Sequence, residues 1–116
     1  MKKINIVKES RDFQKIMSTG ICLKDKNLVI YYKENNNNYS RFGISVGKKI
    51  GNAVVRNYYK RVLRNIVDHN KKICSNKKDY IIIVRKNCLI TDYQKIEKSF
   101  IYLIQSSQKG EKNEKK

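Results

Sequence analysis

Hydrophobic positions recur along the chain at two spacings, one typical of helices and one typical of strands. Apolar residues three or four positions apart predict helices over about 10–19, 53–70 and 91–104. Runs rich in β-branched and aromatic residues predict strands over 28–32, 41–47 and 80–84, with an extra short strand near 21–23 as an option. The order α-β-β(-β)-α-β-α is typical of an α+β domain in which helices pack on a small sheet.

Polar residues at the ends of these segments predict how the helices begin and end. Ser10 can cap the first helix, and Gly20 fits a left-handed residue that ends it. Asn52 is a good cap for the second helix. Thr91 and Gln94 form a capping-box pattern, so we expect the third helix to open there.

Two polar segments interrupt or follow these elements. The asparagine run 35–38 predicts a turn between two strands, and a hairpin loop is the simplest form of such a turn. From residue 105 onward the chain is polar and charged, which is typical of disorder. We therefore predict a single domain over 1–104, within the usual size range of one domain, followed by a disordered basic tail over 105–116.

The net charge of the chain indicates which classes of partner it can bind. Lys and Arg number 27 against 10 Asp and Glu, which gives a formal net charge of +17. Such an excess repels itself in a compact protein, so it indicates a polyanionic partner, with nucleic acid first and an anionic membrane surface second. No apolar run reaches the roughly 18–20 residues that span a bilayer, and the N-terminus has no apolar stretch typical of a signal peptide. We therefore expect a cytoplasmic protein.

Residues that could hold a metal or carry catalysis are few and scattered. Cys22, Cys74 and Cys88 are far apart and form no CxxC pair, and the chain has a single histidine. A zinc site needs about four ligands in short pairs. The segment 43–48 has one residue too few between its glycines for a phosphate-binding loop, and no Ser or Thr follows its lysine. Since the carboxylates are also scattered, we predict no metal site and no catalytic residue in the chain itself.

Positive charge is concentrated in the middle of the chain. Residues 35–67 contain seven basic residues and no acid. On a helix with about 100° per residue, the basic and polar residues after Asn52 occupy one sector of roughly 140°, opposite the apolar residues. A solvated helix face usually mixes both charges, so a uniformly positive face is typical of phosphate binding. The predicted contacts with nucleic acid are Lys48, Lys49, Asn52, Arg56, Asn57, Lys60, Arg61 and Arg64.

The predicted strand over 41–47 has one apolar face and one face of mostly small residues, including Gly43 and Ser45. A sheet face without bulky side chains leaves room for a ligand. Tyr31 is offset by one position from the apolar face of its strand, so we expect it to point out of the sheet. An exposed tyrosine there could stack on a single-stranded base.

One segment resembles the signature of the protein subunit of bacterial ribonuclease P: RFGISVGKKIGNAVVRNYYKRVLR, residues 41–64. In that family a strand ends in Lys-Lys, Gly-Asn-Ala-Val follows, and the next helix carries Arg-Asn and Lys-Arg pairs. These motifs stand here at 48–49, 51–54, 56–57 and 60–61. The segments 12–15 and 79–83 and Gly20 also resemble the family, so the similarity covers about 8–104.

The resemblance implies a two-layer α/β sandwich (ribosomal protein S5 domain 2-like), with a small mixed sheet and a left-handed βαβ crossover through the basic helix. It implies that a catalytic RNA with bound Mg²⁺ hydrolyses a phosphodiester and so removes the 5′ leader of precursor tRNA. The protein is then the accessory subunit of this endoribonuclease and holds the RNA through the basic helix. Neither a membrane nor a small-molecule substrate is expected as a partner. The single-stranded leader is expected in a cleft between the first helix and the sheet, lined by Phe13, Met17, Tyr31 and Ser45.

Two positions depart from the family pattern. Tyr58 stands where a basic residue is common, so the helix has one charge less, and Met17 stands where an aromatic residue is common. A small basic ribosomal protein that binds ribosomal RNA without an enzymatic role is the alternative, and the motif over 48–64 favours ribonuclease P over it. A nuclease with its own active site is the enzyme alternative, and the missing set of carboxylates argues against it.

Overall fold

The computed structural model describes residues 6–7, 9–36, 38–74 and 77–114, with side chains described up to residue 108. The helices are α1 (Ser10–Thr19), α2 (Ala53–His69) and α3 (Tyr93–Glu114), and the strands are β1 (Ile21–Lys24), β2 (Leu28–Glu34), β3 (Arg41–Ser45) and β4 (Lys78–Val84). Short 3₁₀ turns lie at Lys48–Ile50, Lys71–Ile73 and Lys86–Ile90. The predicted order of elements is therefore confirmed, including the optional short strand as β1.

The four strands form one mixed sheet in the order β1-β2-β4-β3. β2 pairs antiparallel with β1 and β4, whereas β3 pairs parallel with β4. Because β3 and β4 are parallel, the chain must return from one end of the sheet to the other between them, and α2 makes this crossover. β4 lies inside the sheet and is buried along nearly its whole length, as its continuous apolar run predicted.

The asparagine segment after β2 is not a hairpin loop, and that prediction was wrong. β4 lies between β2 and β3, so the two strands that flank the segment are not neighbours in the sheet. The hairpin joins β1 to β2 instead, and the Asp25 carboxylate closes it by accepting hydrogen bonds from the backbone N–H groups of Asn27 (2.8 Å) and Leu28 (2.9 Å). Strand partners depend on the whole sheet, which the spacing of two sequential strands does not reveal.

The main core lies between one face of the sheet and the helices α2 and α3. Leu63 and Phe100 are fully buried there, in the same cluster as Ile82 of β4. α1 covers part of the opposite face, where Ile16 packs with Ile81. This is the predicted α+β sandwich, with α1 on the far side of the sheet. None of the described helices has both the length and the apolar character that crossing a bilayer requires.

The two ends of α1 differ from their predictions. The helix begins at Ser10 itself, so Glu9 and not Ser10 occupies the cap position. Gly20 follows the helix in an extended conformation (φ −85°, ψ 174°) and not in the left-handed one. A Cβ atom at Gly20 would lie 2.5 Å from the carbonyl oxygen of Ile16 and 2.6 Å from that of Tyr32. Glycine is therefore required by the close approach of two backbone segments, and not by a helix-ending turn.

The third helix is capped by Asp92, one residue after the predicted Thr91. The Asp92 carboxylate accepts a hydrogen bond from the backbone N–H of Lys95 (2.9 Å), whereas the Thr91 hydroxyl donates to a backbone carbonyl of the preceding 3₁₀ turn (2.7 Å). Both residue types can cap a helix, so residue preference alone does not decide between them. The predicted cap of α2 is confirmed, because the Asn52 side chain accepts a hydrogen bond from the N–H of Val55 (3.1 Å).

α3 continues beyond residue 104, the predicted end of the domain. Ser107 is buried and its hydroxyl donates to the carbonyl oxygen of Ile104, while the side-chain amide of Gln108 donates to the carbonyl oxygen of Ile73. Polar residues pack at this end of the helix because their donors reach backbone acceptors, which composition does not show. Residues 115–116 of the predicted tail lie outside the described residues.

Candidate nucleic-acid interface

α2 buries one side and exposes the other, as its periodicity predicted. The buried side consists of Val62, Leu63, Ile66 and Val67. Asn57, Arg61 and Arg64 are exposed on the opposite side. Arg56 and Lys60 are half-buried, because they lie at the flank of the helix and not at the centre of its exposed face. The structure therefore divides the predicted contact residues of α2 into an exposed group and a flanking group.

The flanking residue Arg56 has an unused hydrogen-bond donor. Among the described residues, its Nε is the buried side-chain nitrogen or oxygen atom that has no hydrogen-bond partner in the protein. Leaving a buried donor unpaired costs about 1–3 kcal/mol. Because this nitrogen is buried, an external acceptor such as a phosphate oxygen would reach the guanidinium of Arg56 only from its exposed side.

The N-terminal end of α2 adds a second concentration of positive charge. Lys48 and Lys49 are exposed in the 3₁₀ turn just before the helix. The Asn52 side chain accepts the N–H of Val55, while the other N–H groups of the first turn have no acceptor within the helix. Together with the helix dipole, the two lysines and these N–H groups create a positive potential that favours an anion.

Gly51 holds the turn into α2 in a conformation that other residues avoid. Its φ of 159° and ψ of −166° belong to a region that is essentially restricted to glycine, and a Cβ atom would lie 3.0 Å from Val55. We expect Gly51→Ala to lower the free energy of unfolding by about 1–3 kcal/mol, measured by denaturant titration. Gly47→Ala is the matched control, because Gly47 has φ −72° and a Cβ atom there would meet no described atom within 4 Å. Equal losses in the two variants would contradict this account.

A cleft runs along β3 between α1 and α2. It consists of two cavities of about 130 Å³ and 360 Å³ that share Phe13, Ile44 and Lys60 in their walls. Arg64 lines the smaller cavity, and Ser45 lines the larger one. The walls of the cleft thus combine an aromatic ring, a small polar residue and two cations.

The four residues predicted to line a cleft fall into two groups. Phe13 and Ser45 line the cleft along β3. Tyr31 faces the same side of the sheet, as predicted, but it packs in the small cluster beneath α1, outside the walls of both cavities. A side-chain hydrogen bond with Cys22 raises the pKa of Tyr31, so its hydroxyl is neutral at physiological pH. Met17 is 39% exposed one helical turn beyond Phe13, and it too lies outside those walls.

Arg41 belongs to the acid-free segment of the sequence, yet its charge is already paired in the fold. Its Nε and Nη2 donate to the two carboxylate oxygens of Asp79 at 2.9 Å and 2.7 Å, and the Asp12 carboxylate lies 3.8 Å away. The hydrogen bonds to Asp79 raise the pKa of Arg41. Parallel pairing of β3 with β4 places Arg41 opposite Asp79, so only the strand register reveals that this cation is engaged within the protein.

The described residues bring together no obvious ligand set for a metal. Within the described ranges, no three His, Cys, Asp or Glu side chains lie close enough to hold an ion. Cys74 and Cys88 are buried, and burial raises their pKa values to about 12 and about 11, while Cys22 is exposed. The two buried thiols are therefore protonated at neutral pH, and a protonated thiol is not the form that binds metals.

These features define a class of protein: a small basic α+β domain whose crossover helix and adjacent cleft suit a polyanion. A family model described as Ribonuclease P matches residues 1–108 of the chain. The chain therefore belongs to the ribonuclease P protein family, and its role lies in tRNA processing, as a protein subunit of that ribonucleoprotein.

Individual relatives and solved structures agree with this assignment. A Ribonuclease P protein component of Mycoplasma mycoides subsp. mycoides is 46% identical over 105 residues, covering 90% of this chain and 96% of the relative. One from Streptococcus agalactiae serotype Ia is 42% identical over 104 residues, covering 90% and 94%. The structure of a Staphylococcus aureus RNase P protein mutant with defective mRNA degradation activity matches with a TM-score of 0.84 at 32% identity, covering 91% of this chain and 90% of that one. The RNase P protein of Thermotoga maritima matches with a TM-score of 0.79 at 30% identity, covering 84% and 93%. The ribosomal alternative is not favoured.

Proposed function

We propose that this chain is an accessory, RNA-binding subunit of ribonuclease P and that the cleavage step belongs to its RNA partner. The observation that carries the proposal is the exposed face of α2, where Arg61 and Arg64 stand opposite a buried apolar side. The single histidine of the chain, the commonest general base, is exposed at the C-terminal end of α2 beside Tyr93 and not in the cleft. The cations proposed to bind RNA therefore lie together on one face of α2, whereas the histidine lies away from the cleft.

The catalytic RNA would be held through phosphates that face α2. Arg61 and Arg64 offer planar guanidinium groups that match phosphate oxygens, and the half-buried Arg56 adds a further positive charge at the flank of the helix. Lys48 and Lys49 extend this surface past the N-terminal end of the helix. If about six phosphates are contacted, the logarithm of the affinity should fall with the logarithm of the salt concentration with a slope of about −4 to −5.

The cleft along β3 is the proposed site of the 5′ leader of precursor tRNA. Phe13 offers an aromatic face on which a base can stack, and Lys60 and Arg64 stand where the phosphates of a single strand would pass. Since Tyr31 and Met17 lie outside the cleft, they would contact only nucleotides that extend beyond it. Lys60 and Arg64 also belong to α2, so one helix would serve both the catalytic RNA and the leader.

Mg²⁺ is proposed to be held by the RNA partner and the substrate and not by this chain. The ion prefers oxygen ligands, mainly carboxylates and phosphates. Within the described ranges, no three His, Cys, Asp or Glu side chains come together as such a group of ligands, and this supports placing the ion on the RNA. The chain's own part is to bind and orient RNA, and we place this work in the cytoplasm.

Reconstitution tests the proposed function. The purified protein alone should leave a precursor tRNA uncut, and its addition to the cognate catalytic RNA at low Mg²⁺ should speed release of the 5′ leader. The physical reason is that the cations of the protein neutralise phosphates whose mutual repulsion Mg²⁺ would otherwise have to screen. Cleavage by the protein alone, or no effect of the protein on the RNA, would overturn the proposal.

A further inference from the structure

The exposed side of α2 carries two large uncharged side chains in addition to its cations. Val54 is 77% exposed and Tyr58 is 53% exposed. The two residues are four positions apart, so they lie together on the helix, on the flank away from Lys60 and the cleft. Arg61 stands three positions after Tyr58 and is therefore its neighbour on the surface. An exposed apolar patch thus borders the basic face directly.

Tyr58 is held in place by the residue that follows it. Its ring meets the ring of Tyr59 edge-on, with the ring centroids 5.1 Å apart and the planes at 83°. Tyr59 is half-buried, and its hydroxyl donates a hydrogen bond to the carbonyl oxygen of Cys88 (3.3 Å). The Tyr58 ring is therefore backed by an anchored ring, which limits its motion before any partner binds. A pre-positioned aromatic ring loses little conformational entropy on binding.

We infer that Tyr58 is a stacking site for an unpaired base of the RNA that α2 binds. The inference rests on the proposed function and adds a base contact to the phosphate contacts of the arginines. Stacking of a base on an aromatic side chain strengthens binding about 5- to 150-fold. A paired A-form helix hides the faces of its bases, so the catalytic RNA must present an unpaired or bulged nucleotide next to the phosphates held by Arg61.

The surroundings of Tyr58 favour RNA over a protein or a membrane as the occupant. The sequence from 35 to 67 contains no acid, and Arg61 borders Tyr58, so the charge contributed by this segment favours a negatively charged partner. The 3₁₀ turn that anchors Tyr59 through Cys88 also carries an exposed cation, Lys86, and an exposed apolar residue, Ile90. A nucleotide combines a flat apolar base with a charged phosphate, and it therefore matches a ring bordered by cations.

Three substitutions separate the contribution of stacking from that of charge. Tyr58→Leu keeps an apolar side chain but removes the ring, so affinity for the cognate catalytic RNA should fall about 5- to 150-fold, the equivalent of the stacking free energy. The salt slope should stay unchanged, because no phosphate contact is lost. Tyr58→Phe should restore binding, since stacking needs the ring and not the hydroxyl. Arg61→Ala is the contrast, because it should flatten the salt slope by about 0.7–0.9.

The absence of Trp from the chain provides a direct probe. In a Tyr58→Trp variant, stacking of a base on the single indole should quench its fluorescence when the catalytic RNA is added. Tyr102→Trp is the matched control, because Tyr102 is 63% exposed on α3, and its emission should not change. A fully paired RNA duplex should leave both variants unquenched, since it offers no base face.

The outcomes distinguish this inference from the proposed function. If the wild-type chain does not bind the catalytic RNA, the proposed function fails and the stacking site fails with it. If the wild-type chain binds but Tyr58→Leu binds equally well, or the indole at position 58 is not quenched, only the stacking site is overturned. Emission at position 58 that responds to anionic phospholipid vesicles and not to the RNA would identify a membrane as the occupant and would also overturn it.

Discussion

A variant carrying both Arg61→Ala and Arg64→Ala should bind the catalytic RNA about 25- to 60-fold more weakly than the wild-type chain near 0.1 M monovalent salt. Each lost phosphate contact removes about 0.7–0.9 from the log–log salt slope, which corresponds to roughly five- to eightfold in affinity between 1 M and 0.1 M salt. Both side chains are exposed, so their removal leaves the packing of α2 intact. Filter binding over a range of salt concentrations measures both the affinity and the slope.

The matched control for this variant removes the same charge from another helix. Lys95 and Lys98 are exposed on α3, and their joint replacement by alanine lowers the net charge equally. Equal losses of affinity in the two double variants would show that only the total charge matters, and the assignment of α2 as the binding face would be wrong. Arg56 and Lys60 are less suitable targets, because both are half-buried and their loss would mix a change in packing with a change in binding.

Phe13→Ala should weaken the binding of precursor tRNA to the reconstituted complex about 5- to 150-fold, while the binding of mature tRNA stays unchanged. The ring lines both cavities of the cleft and lies against Gly43, where a Cβ atom would be 2.6 Å from it. Its removal therefore takes away the wall of the cleft on the α1 side without altering the exposed face of α2. Equilibrium binding of tRNA with and without a leader measures the difference.

Met17→Ala is the control within the same helix. Met17 lies one turn beyond Phe13 and outside the walls of the cleft, so its loss should have a much smaller effect on precursor tRNA. Thermal denaturation of both variants shows whether either change acts through the fold. An equal loss for precursor and mature tRNA in Phe13→Ala would mean that Phe13 does not contact the leader, and an equal loss in both variants would place the leader outside the cleft.

Several features of the fold and the site could be predicted because they depend on residues only a few positions apart. The helical spacing of α2 separates its buried side from Arg61 and Arg64, and Asn52 caps the helix through the nearby N–H of Val55. The apolar run of β4 marks a strand buried on both faces. The motif over 48–64 lies in this same local segment, and the family was therefore evident from it.

Contacts between distant segments explain the predictions that were wrong. The strands on either side of the asparagine segment are separated by β4, which arrives about 40 residues later in the chain, so no local signal shows that they do not form a hairpin. Gly20 is required by the backbone of Tyr32, and α3 continues past residue 104 because Gln108 reaches the carbonyl oxygen of Ile73. In each case a partner from another element determines the local conformation.

The strong positive charge of the chain and its concentration on one side of α2 follow from the sequence alone, because charge and helical period are local properties. Which partner each cation can reach depends instead on the packing of the folded chain. Parallel pairing of β3 with β4 engages Arg41 with Asp79, while the packing of α1 against the sheet brings Phe13 into the walls of the same cavities as Lys60. The availability of a charge depends on the neighbours that folding brings to it, and those neighbours come from segments far apart in the chain.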